Sequence, residues 1–285
     1  GVQTCALPIF FGKLHSITSL SQMNAVIFKK HHMLGELLFV LSNLLLLSSM
    51  LAGADVVFPL SFPTQYRAFS ILTILISILI SWLHFNKIAK INAIIVPCLI
   101  VIVIIAFVLS FPDTLFLPPQ FNLGYTINSL ISCLCYVFFN IYLVSFILAK
   151  LGNTYPKSLG LASIICGIFL AICLMGITFS ILFLPHSASF DMPILEIIRY
   201  IFPPLLPYVS IAIWIGILTT AITNVFILSS WLDARIHNFK LSSIIVGIVA
   251  MLISGFGFSN IVAYLYPIIA LFGVFFIIKL LAIKK

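Results

Sequence analysis

Charge is what this sequence has least of. Charged residues make up 7% of its 285 positions, and the acids number six against fourteen Lys and Arg. Soluble globular proteins carry roughly 25% charged residues, so this composition excludes a water-soluble domain. The remainder is rich in apolar residues: 63% of the chain is hydrophobic, and the mean hydropathy is +1.30. The sequence therefore predicts an integral membrane protein.

Catalytic constellations are also missing. The sequence has no glycine-rich phosphate loop, no nucleophile elbow and no two acids within one apolar segment. His32 and Glu36 have the spacing of a metal-ligand pair, but no further ligand follows, so we assign them to a helix start that faces lipid headgroups. Cys133 and Cys135 point to different helix faces and are expected to form neither a disulfide nor a zinc pair. We expect no enzyme and no resident cofactor.

Long apolar runs dominate the chain instead. A helix that crosses the hydrocarbon core needs about 20 residues. Eight apolar segments of 18 to 26 residues are present, so helices rather than barrel strands are expected to span the membrane. The predicted transmembrane helices are 34–52, 68–85, 93–111, 126–149, 160–184, 206–231, 241–258 and 261–281. Only the sequence GFGFSN separates the last two.

Basic residues fall on one side of these eight segments. If the N-terminal side is cytoplasmic, twelve of the fourteen Lys and Arg lie inside, and only Arg67 and Arg199 lie outside. The acids that lie outside are Asp55, Asp113, Asp191 and Glu196. This positive-inside bias predicts a multi-pass protein of a bacterial inner membrane with both ends of the chain in the cytoplasm. The net charge of +8 then reflects topology and attraction to the lipid bilayer rather than nucleic-acid binding.

The longest outer connection carries the start signals of a short helix. Asp191 precedes Pro193, Glu196 falls in the first turn, and a Pro-Pro pair follows as a break. A helix placed outside the membrane can act as a lid. The alternative is an amphipathic connector at the interface, with Tyr200 and Phe202 as anchors. The sequence leaves both interpretations open.

Uncharged polar residues inside the apolar segments are expected to face the interior of a bundle, because an unpaired polar group in hydrocarbon costs several kcal/mol. In 126–149, Asn128, Ser132, Tyr136 and Asn140 recur at a spacing of four and line one helix face. We predict that this face is a substrate wall.

A second polar run lies in 206–231, where GILTTAITNVF places Thr219, Thr220, Thr223 and Asn224 within two turns. Adjacent hydroxyl and carbonyl oxygens are the ligands that a hard cation such as Na⁺ needs in place of water. The alternative is that these residues are the ordinary polar glue between membrane helices, and their spacing alone favours that alternative.

One acid lies at the end of the first apolar segment. Asp55 is found in SSMLAGADVVF, at or just beyond the outer end of 34–52. If it is buried at depth, it is a candidate for proton coupling, since ionisable groups inside membranes are expensive and usually functional. The alternative is an interfacial aspartate with no role in coupling. The sequence favours this alternative but leaves both open.

Four stretches point together to one known family: SSMLAGADVVF, CYVFFNIYLVSFILAKLG, MPILEI and LTTAITNV, in this order and spacing. They resemble the YkvI-like membrane proteins of the amino acid, polyamine and organocation (APC) transporter superfamily. The resemblance covers most of 34–281. It implies a LeuT-type fold of ten helices in two five-helix inverted repeats, with substrate held where the first helix of each repeat is unwound. The chain would then be an all-α membrane bundle that holds eight of the ten helices.

The resemblance also implies roles for individual residues. The residues implied are Tyr136, Asn140 and, more weakly, Ser132 for substrate binding and Thr219, Thr220 and Thr223 for cation binding. Two features of 126–149 depart from the family. Phe138 and Phe139 make the pocket wall more apolar, and the helix has no Gly or Pro to announce unwinding.

The function implied is secondary active transport. The solute would be a small organic molecule such as an amino acid or amine, moved by alternating access and coupled to Na⁺ or H⁺. The alternative is a non-transporting ligand sensor or membrane subunit on the same fold. No protein partner follows from the sequence under either hypothesis.

The start of the chain looks foreign to this family. Back-translated, residues 1–9 can be written as the end of a common sequencing adapter, and we expect an artefact rather than a natural cytoplasmic tail. Residues 10–33 are expected to be the end of a missing helix and a cytoplasmic connector. Counted back from the C-terminus, the eight segments would be helices three to ten. Without helices one and two, the chain is expected to insert poorly.

Sequencing the source DNA upstream of Phe10, from a library without adapters, tests this interpretation. We expect the reading frame to continue into about two further apolar segments, the first interrupted by glycines, because the inverted repeat needs them. A start codon at or near Phe10 would contradict the expectation. It would make an eight-helix chain natural and favour the non-transporting alternative.

Overall fold

The chain is helical wherever its structure is described. The computed structural model describes residues 8, 11–12, 15–17, 19–58, 67–83, 101, 104–105, 123–154, 165, 167–169, 171–172, 174–176, 178 and 190–282. Regular secondary structure in these ranges consists of helices, without a strand. The prediction of an all-α chain is confirmed for this part of the sequence.

The helices match most of the predicted segments. They are α1 (Leu20–Phe28), α2 (His32–Val57), α3 (Ala68–Ser81), α4 (Leu123–Thr154), α5 (Pro193–Ile201), α6 (Leu206–Ile236), α7 (Phe239–Ser254) and α8 (Tyr266–Leu281). Six of the eight predicted segments coincide with α2, α3, α4, α6, α7 and α8. The other two, 93–111 and 160–184, lie almost entirely outside the described residues.

Among the described residues, three helical stretches are long and apolar enough to cross a membrane: Leu20–Val57, Pro203–Ile236 and Phe258–Leu281. The helices α3 and α7 and the Cys133–Ala149 part of α4 are apolar but shorter than a full crossing. Length and composition therefore indicate association with a membrane.

Residues 10–33, expected to be the end of a missing helix and a connector, contain the helix α1. Ser19 caps this helix by accepting a hydrogen bond from the Gln22 N–H at 3.2 Å. Leu20, Met23 and Ile27 recur at helical spacing and are buried. The cap and the buried apolar face stabilise α1.

Residue contacts divide the chain into two compact units. The first consists of Gly1–Asn43, Pro119–Leu170 and Ala263–Lys285, and the second of Leu44–Pro118 and Ala171–Val262. The first unit contains α1, α4 and α8 with the start of α2. The second contains the rest of α2 with α3, α5, α6 and α7.

Aromatic contacts hold α4 against α8 in the first unit. The ring of Phe139 lies 4.7 Å from that of Tyr266, and the ring of Tyr142 lies 5.2 Å from that of Phe276. These contacts advance in the same direction along both helices, so α4 and α8 run parallel. Ring pairs at such distances contribute beyond the apolar area that they bury.

The second unit is a layer of α3, α6 and α7 packed through small residues. The buried residues of α3 are Ser70, Thr73, Ile74, Ser77 and Ser81, and those of α7 are Ser242, Ser243, Val246, Gly247, Ala250 and Ser254. Small side chains let helix backbones approach closely in membranes. The polar stripe of α3 is therefore an inner face rather than a solvent-exposed one.

In this layer α3 and α7 run antiparallel. At one end the Arg67 guanidinium donates a hydrogen bond to the Ser254 hydroxyl at 3.5 Å. At the other end the Trp82 indole N–H donates to the Ser243 hydroxyl at 2.9 Å. Between these ends, Gly247 of α7 lies against α3.

A backbone break separates α7 from α8, as the predicted boundary at GFGFSN requires. Gly257 adopts φ +84°, a conformation that side chains with a Cβ rarely reach. A short helical segment at Phe258–Asn260 and a π-helix at Ile261–Leu265 follow. Pro267, two residues after this π-helix, lies in the first turn of α8, where its missing N–H costs no hydrogen bond.

The short helix predicted after Asp191 is present as α5. Pro193 occupies its first turn with Glu196, and the helix ends at Ile201 before the prolines. The Glu196 carboxylate lies 3.6 Å from the Arg199 guanidinium, an i to i+3 pair. Asp191 does not cap this helix, because its carboxylate accepts a hydrogen bond from the Ser259 hydroxyl instead.

Replacement of Gly273 tests the α4–α8 contact. A Cβ at this position would lie 2.6 Å from the carbonyl oxygen of Phe138, a backbone atom that cannot move aside. We expect Gly273→Ala to lower the free energy of unfolding by about 1–3 kcal/mol, the usual effect of overpacking. Denaturant unfolding in detergent micelles measures it.

Gly53→Ala is the matched control. Its added Cβ would meet only the ends of Met192 and Phe258 at 3.4 Å, an ordinary contact. Both glycines lie inside helices, so alanine gives each the same gain in helix propensity. Equal unfolding free energies for the two variants would contradict a close approach of α8 to α4.

Candidate functional site

The threonine run of α6 is a patch of oxygen atoms in the second unit. The hydroxyls of Thr219 and Thr220 both donate to the carbonyl oxygen of Gly216, at 2.9 and 3.0 Å. The Thr223 hydroxyl donates to the carbonyl oxygen of Thr219 at 3.0 Å. A hydroxyl that donates its proton to its own helix keeps its lone pairs for another partner. The run therefore presents acceptors rather than donors.

Asn224 completes this patch and leaves one atom unsatisfied. Its amide Nδ2 donates to the carbonyl oxygen of Thr220 at 2.9 Å. Its Oδ1 is buried and has no hydrogen-bond partner in the described part of the chain, and the residue is 3% exposed. A buried acceptor without a partner costs about 1–3 kcal/mol, so a ligand that bound this oxygen would remove that cost.

The patch suits a hard cation. Hydroxyl and amide oxygens are ligands that hard cations accept in place of water. Thr219 and Asn224 are buried, while Thr220 and Thr223 are half-buried. Sequence reasoning placed Asn224 in the run but not among the cation ligands. The missing signal was its orphaned oxygen, which only packing reveals.

The substrate candidates lie on α4 in the first unit. Tyr136 is 54% exposed, and Asn140 is exposed and donates from Nδ2 to the Tyr136 carbonyl oxygen at 2.8 Å. They share one face of the helix, as their spacing predicts. The side chains of Ser132 and Asn128 lie outside the described residues.

The unwound segment implied by the family resemblance is not found in α4. This helix is continuous over 32 residues, from Leu123 to Thr154. Unwinding would leave backbone N–H and C=O groups without partners, and no Gly or Pro between Tyr136 and Asn140 lowers that cost. Intrahelical hydrogen bonds therefore prevail here.

Asp55 has a structural partner. Its carboxylate Oδ1 accepts a hydrogen bond from the Ser70 N–H at 2.9 Å. Ser70 lies in the first turn of α3, whose N-cap residue, Arg67, makes no side-chain cap of its own. A carboxylate at the positive end of a helix is stabilising there. Asp55 is half-buried, and this geometry gives it a structural role at the start of α3.

The short helix α5 is docked on the protein. Leu195 and Ile198 are buried in one apolar cluster with Ala54 and Val57 of α2 and Val209 of α6. This cluster covers the end of the second unit where α2 ends and α6 begins. The aromatic residues expected as anchors, Tyr200 and Phe202, are exposed. One face of α5 therefore closes the core while the aromatic side chains point outward.

Comparison with known proteins adds no identity to this site. Neither the family models, nor the curated proteins, nor the solved structures contain a match to this chain. The resemblance to YkvI-like proteins therefore stays a prediction. Function is argued below from the side chains themselves.

Substitutions of Asp55 distinguish a role in capping α3 from a role in proton coupling. We expect Asp55→Ala to lower the free energy of unfolding by about 1 kcal/mol, because the first turn of α3 loses its cap. Asp55→Asn keeps an acceptor oxygen and should lose less. Asp233→Ala, which removes another half-buried carboxylate, is the control. If Asp55→Asn leaves stability unchanged and abolishes proton-driven uptake, proton coupling is the correct role.

Proposed function

We propose that this chain belongs to a secondary active transporter that couples the movement of a small organic solute, such as an amino acid or amine, to Na⁺. The observation that carries the proposal is the buried, unpartnered Oδ1 of Asn224, which lies in the same two helical turns as Thr220 and Thr223. A bound Na⁺ would convert this unfavourable atom into a ligand. The solute itself is not specified by the geometry.

The composition of α6 favours Na⁺ over H⁺ as the coupling ion. From Val209 to Leu232 the helix has no acid, no base and no histidine, so α6 itself offers no proton carrier beside the threonine run. Neutral oxygens bind a hard cation without changing their protonation state. Asp55, the other candidate for coupling, is engaged at the start of α3.

The packing of α3 and α7 supports the inverted-repeat assignment. In that assignment they are the fourth helices of the first and second repeats. Repeats related by a two-fold axis in the membrane plane place equivalent helices antiparallel. The hydrogen bonds Arg67–Ser254 and Trp82–Ser243 join opposite ends of the two helices, so α3 and α7 run antiparallel. We therefore propose a ten-helix LeuT-type bundle in a bacterial inner membrane, with the ends of this chain in the cytoplasm.

The exposed face of α4 is the proposed substrate side. Tyr136 and Asn140 offer a hydroxyl and an amide next to Phe139, whose ring lies 6.3 Å from that of Tyr136. Such a face gives hydrogen bonds to the polar end of a solute and apolar contact to the rest. Ser132 belongs to the same predicted face.

Sodium dependence tests the proposal in protein expressed from the complete reading frame. We expect Thr220→Ala to lower uptake from a panel of radiolabelled amino acids in proteoliposomes and to shift its Na⁺ dependence, because one cation ligand is lost. We expect Asn224→Leu to raise the melting temperature in choline chloride, because it removes an unpartnered polar atom. It should also abolish the further rise that Na⁺ gives to the wild type.

Ser230→Ala is the matched control, since its hydroxyl also donates to its own helix, at 2.7 Å from the Phe226 carbonyl oxygen, but lies beyond the run. It should keep wild-type uptake and Na⁺ response. Unimpaired, Na⁺-independent uptake in Thr220→Ala would contradict the proposed cation site. Saturable binding of an amino acid without net flux would favour the ligand-sensor alternative over transport.

A further inference from the structure

An apolar groove runs between α3 and α7 on the surface of the second unit. It encloses about 600 Å³. Its walls are Ile74, Leu75, Ile78, Leu79, Ile244 and Ile248, with Met251 and Leu252 near one end. Gly247 lies in its floor, where a Cβ would be 2.8 Å from the Ile78 side chain. The absence of a side chain at this position keeps the groove deep.

Each end of this groove carries a cation. The Arg67 guanidinium lies at one end, held by Ser254. Trp82 lies at the other end, with the Lys240 ammonium 5.2 Å from its ring. The fifteen residue steps from Arg67 to Trp82 rise by about 22 Å, which is about three quarters of a hydrocarbon core of about 30 Å. The groove is therefore long enough to hold an acyl chain that starts at either end.

Arg67 forms no ion pair in the described part of the chain. There, no carboxylate lies within ion-pair distance of its guanidinium, and the Asp55 carboxylate accepts a hydrogen bond from the Ser70 N–H. The sequence places only this arginine and Arg199 on the outer side, and Arg199 is paired with Glu196. A cation at the end of an apolar groove complements a molecule with an anionic head and an apolar tail.

We propose that this groove is a binding site for an anionic phospholipid of the outer leaflet. The phosphate lies against Arg67, and one acyl chain lies along Leu75, Ile78 and Ile248 toward the middle of the bilayer. A second copy of the chain, or another helix of the same protein, would fill the apolar walls but bring no phosphate to the guanidinium. The positive charge of Arg67 at the end of the groove therefore favours an anionic lipid over these other occupants.

Native mass spectrometry of the full chain tests the site. Phosphatidylglycerol and phosphatidylcholine with identical acyl chains are titrated separately. We expect the first phosphatidylglycerol to bind about fivefold more tightly, the factor that one cationic side chain near a membrane surface contributes. Equal affinity for the two lipids would overturn the proposal.

Variants assign the preference to Arg67 and to the groove. Arg67→Gln should remove the headgroup preference and Arg67→Lys should keep it, while Arg199→Gln, the other outer arginine, should bind as the wild type does. Ile248→Trp should weaken both lipids by filling the groove. Ile268→Trp, at a similarly exposed position of α8, should leave binding unchanged.

Three results would contradict this assignment. A headgroup preference that survives in Arg67→Gln places the phosphate elsewhere. Displacement of the lipid by millimolar inorganic phosphate shows an anion site that does not need the acyl chain. A lipid-free dimer that Ile248→Trp disrupts shows that a second copy covers the groove.

Discussion

The hydrocarbon solvent imposes the constraint on which this structure depends: polar groups must find partners inside the protein. The chain meets it mostly within single helices, where hydroxyl and amide groups donate to carbonyl oxygens three or four residues earlier. Residues that do so include Ser42, Asn43, Ser48, Thr73, Ser77, Asn140 and Thr220. A few buried polar atoms of the described residues have no partner, among them the Oδ1 atoms of Asn24 and Asn224. The proposed cation site uses the Oδ1 of Asn224, because that residue lies within the threonine run.

Satisfying polar groups locally also determines how the helices associate. Thr73 and Ser77 have small side chains whose hydroxyls donate to carbonyl oxygens of their own helix, so both residues can be buried between helices. The Trp214 indole N–H then uses the Thr73 hydroxyl as its acceptor at 2.8 Å and links α6 to α3. Gly247 has no side chain at all, and this lets α7 approach α3 closely at that position.

The charged residues of the second unit gather at the ends of its helices, where they act on helix termini and on the interface. Asp55 caps the start of α3, where the helix dipole favours its negative charge, and Arg67, the N-cap residue of α3, donates a hydrogen bond to Ser254 at the end of α7. Thus the same layer of helices carries two proposed sites of different character. The threonine run offers oxygens to a desolvated cation, and the groove of α3 and α7 offers a cation and apolar walls to a lipid.

The sequence by itself determined what depends on local chemistry. Composition indicated a membrane chain, apolar segments predicted the positions of α2, α6 and α8, and the Asp-Met-Pro start predicted α5, because these signals act over a turn or a segment. Tertiary structure decided what depends on partners distant in sequence. Asp55 caps a helix fifteen residues further along, Trp214 bonds to Thr73 across 141 residues, and Asn224 keeps an oxygen without a partner. No periodic pattern encodes such outcomes, because they depend on which faces meet when helices pack.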